Sequence, residues 1–443
     1  MAALAVLVAC TEGGGAPQPV VDVKDRVPGA RVDAGYPRIG AVYLAQENLP
    51  GPEVLARYDV VVIDNEWAHR VDASFFDTVR QLNPSIKMLA YVSLTDYPVE
   101  LGTQEYYANR YDLWQYQDGV SSTFPQEWLA RTAAEDQPVS EYPNSLMTNL
   151  ADVAPEVNGQ RFLEYGADWV SRRVWSSGVW DGIFLDVWGD RIYSADAEQW
   201  DVDGDGVDEP DSEIYGRGNP WERGVDEAER LMRAAMPDAI LAANGQRTFR
   251  GGQIDGRMWE SFADDQEGRD PVEDLMGYVN TAALGDHREP GLTITLDRRR
   301  DEMPLTATDA RRARFFLTGT LLQNGFWAGA GLDYAELSYY DEFDGGGLGR
   351  GYLGMPLVAN PTWEDLQAEF RDGVGQVADG VYRRDFEAGI ALHNASGERR
   401  TVTLEGRYRK LDGTQAPAVN NGSLVQRVTL EPEDGLILLR TEG

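Results

Sequence analysis

Trp180-Asp181-Gly182-Ile183-Phe184-Leu185-Asp186-Val187-Trp188 is a short apolar run that closes on an acid. Its length and near-continuous bulk suit a strand buried on both faces, the kind that fills a parallel sheet. The same texture recurs at Ile39 to Leu44, Val60 to Asp64, Lys87 to Ser93, Ile240 to Ala243, Gly256 to Glu260, Leu292 to Leu296 and Gly325 to Ala328. Helix-like stretches fall between these runs, at Ala73 to Leu82, Arg161 to Ser176, Trp221 to Met236, Pro271 to Leu284 and Asp309 to Leu322. Eight strands with intervening helices predict an α/β fold of the (β/α)8 TIM barrel type over residues 36–373. A doubly wound sheet is the competitor, but its fingerprint is missing. The one G-x-G-x-x-G match, Gly349, Gly351 and Gly354, has no strand before it and no helix after it, and reads as a flexible loop.

Beyond Gly373 apolar and polar residues alternate around Gly, Asn and Pro turns, at Gly380 to Asn394, Arg400 to Leu404 and Leu424 to Leu439. This predicts a small antiparallel all-β domain over residues 374–443, expected to brace the barrel rather than to bind sugar. At the other end, residues 1–10 are small and apolar and finish Leu7-Val8-Ala9-Cys10, which resembles a bacterial lipobox with Cys10 as the lipidated residue. Residues 11–35, rich in Gly, Pro and Val, read as a flexible tether. The expected location is extracytoplasmic, on the cell surface or in the periplasm, with membrane contact through the lipid anchor only.

Acids outnumber bases by 74 to 40, a formal charge of −34, and no basic stripe is present, so a nucleic-acid partner is excluded. Cys10 is the single cysteine, and His69, His287 and His393 are far apart in the chain, which leaves little material for a zinc site or a Cys-His nucleophile. Chemistry must come from carboxylates, aromatics and amides. In a (β/α)8 barrel the reacting groups sit at the C-terminal ends of the strands. That rule selects Asp186 at the end of the fourth strand and Glu260 at the end of the sixth, expected to face each other across the mouth. Asp64 and Glu66, at and after the end of the second, join them.

Two carboxylates across a groove are what glycosidic cleavage requires: one protonates the leaving oxygen, while the other attacks the anomeric carbon or activates water. No cofactor is needed for that reaction. The chain also holds 12 Trp, 20 Tyr and 13 Phe, rings on which the flat faces of sugars stack. Strand alternation puts Trp188 on the face of Asp186 and Trp259 opposite Glu260. Trp67, Trp327 and Asn244 are further candidates for the substrate-binding wall. The acidic run Asp201-Val202-Asp203-Gly204-Asp205-Gly206-Val207 has the D-x-D-x-D-G spacing of a Ca²⁺ loop, with Glu213 as its late final acid. A structural Ca²⁺ held by Asp201, Asp203, Asp205, Val207 and Glu213 would order the wall beside Asp186.

Several of these stretches carry a resemblance. Asp59 to Asp64, Ala90 to Leu94, Trp180 to Asp186 and Trp259-Glu260 are similar to the barrel of the hypothetical glycosyl hydrolase family fifteen, and more remotely to the endo-α-1,4-polygalactosaminidase barrels. Asp385 to Asn394, Tyr408 to Gly413 and Asp434 to Leu438 resemble the tail of the same family. The resemblance implies a barrel with an Asp on strand four and a Glu on strand six as the catalytic pair, matching Asp186 and Glu260. It implies no particular substrate. The expected activity is therefore that of a monomeric glycoside hydrolase acting on a polysaccharide. The alternatives are a noncatalytic glycan-binding lipoprotein and a metal-dependent hydrolase or lyase with Asp64, Asp186 and Glu260 as ligands.

Overall fold

A computed structural model describes residues 35–441 apart from 46, 99–123, 134–135, 144, 194, 246–252, 266–267, 285–290, 300–304 and 332–333. Cys10 and the tether up to residue 34 lie outside the described residues. Eight parallel strands close into a barrel: β1 (Ile39–Tyr43), β2 (Val60–Asp64), β3 (Lys87–Ser93), β4 (Gly182–Asp186), β5 (Ile240–Asn244), β6 (Gly256–Glu260), β7 (Ile294–Arg298) and β8 (Phe326–Ala330). Each pairs with its sequence neighbours, and β8 returns to β1 through Ile39 opposite Trp327. The expected barrel is thus present, with β7 and β8 ending two residues later than the apolar runs alone indicate. The cause is that β7 continues through Asp297 and Arg298, which pair with Gly329 and Ala330.

Alternation divides each strand between two cores. Val60, Val62, Leu89, Tyr91, Phe184, Ile240, Ala242, Met258, Ile294, Leu296, Phe326 and Ala328 fill the barrel interior. Their neighbours, among them Val61, Ile63, Ile183, Leu185 and Trp327, pack outward under the helices. Both faces are buried, so the strands read as unbroken apolar runs.

The longer helices are α1 (Ala73–Leu82), α2 (Phe162–Trp169), α3 (Pro220–Ala235), α4 (Pro271–Leu284) and α5 (Ala307–Leu321). Each begins for a local reason. Asp72 caps α1 by accepting from the Ser74 amide at 2.9 Å, Pro220 opens α3 at the position where its missing N–H costs nothing, and Thr306 with Asp309 forms a capping box on α5. Trp221, Val225, Ala228 and Met232 recur at helical spacing and bury one face of α3. The stretch Arg161 to Ser176, expected as one helix, is α-helical only to Trp169 and widens into a π turn over Val170–Val174.

The chain then builds a six-stranded antiparallel sheet in the order β9-β10-β11-β14-β12-β13, from β9 (Val374–Ala378), β10 (Val381–Asp385), β11 (Gly389–Asn394), β12 (Arg400–Lys410), β13 (Leu424–Leu430) and β14 (Asp434–Arg440). It packs against α5. Arg314 of α5 reaches Asp434 at 3.0 Å, and the ring of His393 stacks on Phe315 with centroids 4.6 Å apart. Gly435 fits there only because it lacks a side chain, since a Cβ would stand 2.0 Å from Thr318 Oγ1.

The G-x-G-x-x-G segment is an ordered turn at the opposite end of the barrel from the strand C-termini. Arg350 within it bonds Asp59 at 2.9 Å and Asn83 at 3.0 Å, and Gly354 pairs with Tyr36 ahead of β1. Burial pushes the Asp59 carboxyl up to about 6.

Candidate active site

Asp186 and Glu260 end β4 and β6 on the interior face and meet over the barrel mouth. Asn244, last residue of β5 between them, donates from one Nδ2 to Asp186 Oδ1 at 2.8 Å and to Glu260 Oε2 at 2.9 Å. Two acceptors of one nitrogen can stand no further apart than the two bonds laid end to end, under about 6 Å, which is short of the inverting range of about 6.5 to 9.5 Å. Asp186 also accepts from the Tyr91 hydroxyl and from the Val187 amide at 2.9 Å. Glu260 accepts from the Tyr334 hydroxyl, whose ring lies under the Arg298 guanidinium at 5.6 Å.

Burial pushes the Asp186 carboxyl above its ordinary range. The Tyr91 and Asn244 donors hold that rise back, and the Glu260 charge adds to it. Tyr334 is pushed well up by burial and by Glu260, so it stays protonated and serves as a donor.

Both carboxylates are followed by a residue in the left-handed region, Val187 at φ 50° and Ser261 at φ 53°. That is rare for any side chain and rarer for a β-branched one. At Val187 it turns the amide back onto Asp186. Gly245 completes the turn after Asn244, because a Cβ there would press to 2.8 Å on the Trp188 backbone.

The left-handed step also breaks the alternation that Trp188 was expected to follow. Its indole turns outward, is 1% exposed, and donates to Glu229 of α3 at 2.9 Å, so it is core and not cleft wall. Trp327 is a second correction. It lies on the outer face of β8 against Tyr340 and Phe343, at 5.6 and 5.4 Å. Trp67 is buried with its indole N–H on the Ala45 carbonyl at 3.1 Å and Arg70 over its ring. Asp64, last residue of β2, is fully buried and accepts from the Glu66 amide at 3.1 Å, and Glu66 is buried beside it. Among the described residues, Asp64, Asp186 and Glu260 are not grouped closely enough to hold one ion, so the three-carboxylate metal centre weighed as an alternative does not assemble.

The cleft holding the pair encloses about 920 Å³ and is lined by Asp186, Asn244, Glu260 and Trp259, by the loop residues Asp190, Arg191 and Tyr193, and by Tyr142 at the end of the short strand Ser140–Tyr142. Trp259 points away from Glu260, as alternation requires, and packs on Gly277 of α4 with Arg257 over its ring at 4.1 Å. Tyr91, Tyr334, Tyr142 and Tyr193 were not anticipated. Alternation along β3 from Leu89 identifies Tyr91, whereas Tyr334 sits in the loop after β8, where sequence carries no such signal.

The acidic loop after β4 is ordered by its own backbone. Asp201 accepts from the amides of Gly204 and Gly206 at 2.7 and 2.9 Å, and Asp205 caps the Val207 amide at 2.9 Å. Among the described residues, the acids whose ligand oxygens lie within 4.8 Å of one another are Asp201, Asp203 and Glu209. Glu213 does not join them, since it is exposed on the turn Asp211–Ile214. Glu209 takes its place because the short antiparallel pair of Trp200 with Glu209 folds the loop back on itself.

A comparison with curated protein sequences returns no match. Similar solved structures include the glycoside hydrolase domain of PelA from Pseudomonas aeruginosa, at 15% identity over 68% of this chain and 98% of that one, with a TM-score of 0.40. A noncanonic maltogenic α-amylase, AmyB, from Thermotoga neapolitana matches at 12% identity over 92% of this chain and 99% of the other, TM-score 0.45. A GH27 β-L-arabinopyranosidase from Geobacillus stearothermophilus matches at 10% identity over 92% and 97%, TM-score 0.46. The model of the hypothetical glycosyl hydrolase family 15 matches residues 80–390, which span β4 to β6 and well over half of the sequence, and the chain belongs to that family.

Proposed function

We propose that this glycosidase cleaves a polysaccharide by a retaining double displacement in which Asp186 is the nucleophile and Glu260 the general acid and base. The observation that supports the reading is the shared Asn244 bridge, which holds one oxygen of each carboxylate on a single nitrogen, closer than an inverting pair requires. Three donors converge on the Asp186 oxygens and favour the anion a nucleophile needs. In the first step Glu260 protonates the glycosidic oxygen as Asp186 bonds to the anomeric carbon and the leaving sugar departs. Water then attacks that carbon, Glu260 takes its proton, and Asp186 is released. Digestion of soluble amylose, pectic galactan and chitin oligosaccharides, followed by proton NMR in the first minutes, is expected to show a product with the anomeric configuration of the substrate. First-formed product of the opposite configuration would exclude the covalent route. Tight binding without cleavage would favour the glycan-binding alternative.

The extracytoplasmic location, the Cys10 anchor and the monomeric state are parts of the same proposal. So is a structural Ca²⁺ at Asp201, Asp203 and Glu209, the ligand set supported by the loop geometry. Millimolar Ca²⁺ is expected to raise the melting temperature of chelator-treated protein, and Asp201→Asn to abolish that rise. An equal rise in the variant would place the ion elsewhere.

A further inference from the structure

Resting on the glycosidase reading, we infer that Tyr142 and Tyr193 form an aromatic rail on which a glycan chain lies beside the catalytic pair. Both rings line the cleft that holds Asp186 and Glu260, and they are exposed by 46% and 67%. Large rings left in water at the edge of a cleft mark a binding surface, and the C–H faces of sugars are their natural partners.

The rail is built from two separate connections that are tied together. Tyr142 belongs to the segment between β3 and α2, and Tyr193 to the loop after β4. Two residues before the first ring, the Ser140 amide donates to the Asp196 carboxylate at 2.8 Å, and the Asp196 amide donates back to the Ser140 carbonyl at 2.9 Å. Tyr193 is braced from behind as well. The Arg191 guanidinium lies 5.4 Å from its ring and 5.6 Å from the buried ring of Tyr215, and is ion-paired with Asp211. An exposed ring backed by a cation and a buried ring loses little freedom when a sugar stacks on it. The cleft volume is near the top of the range for small-ligand sites, about 300 to 1,000 Å³, which suits several sugar rings better than one.

The test uses the full chain and two readouts. Tyr142→Ala combined with Tyr193→Ala is expected to raise KM on the polysaccharide cleaved in the panel about tenfold. The expected change in kcat is less than about twofold, and a trisaccharide of the same linkage should show a smaller change in KM. The corresponding Phe variants, which keep the rings, should restore the polymer KM. Equal KM changes on polymer and trisaccharide, or none on the polymer, would overturn the rail.

Native gels cast with amylose, pectic galactan or glycol chitin separate this outcome from failure of the chemistry. Wild type should be retarded by one of them, and the double Ala variant should not. Retardation lost in the variant of a protein that cleaves nothing would keep the rail and reject the catalytic pair. A wild type retarded by none of the three would reject the rail.

Discussion

Asp186→Asn and Glu260→Gln should each lower kcat/KM on a polysaccharide by about 10³-fold, and the double variant should fall little further, because the two groups serve one displacement. Azide separates their roles. Added to Asp186→Ala it replaces the missing nucleophile and gives a glycosyl azide of inverted configuration. Added to Glu260→Ala it intercepts the glycosyl-enzyme and gives the retained one. The opposite pairing of products would exchange the two assignments, and full activity in either variant would remove that residue from the chemistry. The same site predicts a pH effect. A nucleophile must be ionised, and burial raises the Asp186 pKa, so activity should fall on the acid side above the ordinary carboxylate range. Tyr91 donates to the charged form and thereby lowers that pKa, so Tyr91→Phe should move the acid limb to higher pH. A limb that stays in place would separate Tyr91 from the titrating group.

The meeting of Asp186 and Glu260 was legible because β4 and β6 are apolar runs that end in an acid, and barrel topology fixes which end of a strand faces the mouth. The rings were less legible, for reasons that differ residue by residue. Trp188 was assigned by alternation carried one step beyond Asp186, and the left-handed Val187 reverses the chain at that step. β-Branched residues seldom adopt this conformation, so composition gives no warning of it. Trp327 fails on parity alone. Phe326 and Ala328 fill the interior, hence the residue between them faces the helices. In the acidic loop, counting along an EF-hand pattern points to Glu213, but a two-residue antiparallel pairing brings Glu209 back beside Asp201, a tertiary fact that a linear ruler cannot contain. Tyr142 and Tyr193 depend on the contact between two long connections, which no local pattern reports.

Arg384→Met is expected to cost about 3 to 5 kcal/mol of stability, because each buried acceptor left without a donor costs about 1 to 3 kcal/mol and the substitution strips several at once. Arg384 is on β10, is fully buried, and spans the join between the C-terminal sheet and the barrel. One guanidinium nitrogen donates to the carbonyls of Leu321 and Gln323 at 3.1 and 2.6 Å. The other donates to Asn324 Oδ1 and the Val358 carbonyl at 2.8 Å each, and to the Ala359 carbonyl at 3.1 Å. Burial lowers its pKa to about 10, which still leaves it charged at neutral pH. Methionine fills a similar volume but takes this donor from the Leu321, Gln323 and Val358 carbonyls, whereas Asn324 Oδ1 keeps the Tyr36 hydroxyl and the Ala359 carbonyl keeps the Asn324 amide, and the segment from Leu321 to Asn324 leads directly into β8. Arg384→Lys keeps the charge but loses the planar fork, so it should recover only part of the loss. Urea unfolding measures both variants, and limited proteolysis between α5 and β9 reports whether the sheet has come loose. A methionine variant within about 1 kcal/mol of wild type would show that the join is held by apolar contacts such as His393 on Phe315, with the guanidinium contributing little net stability.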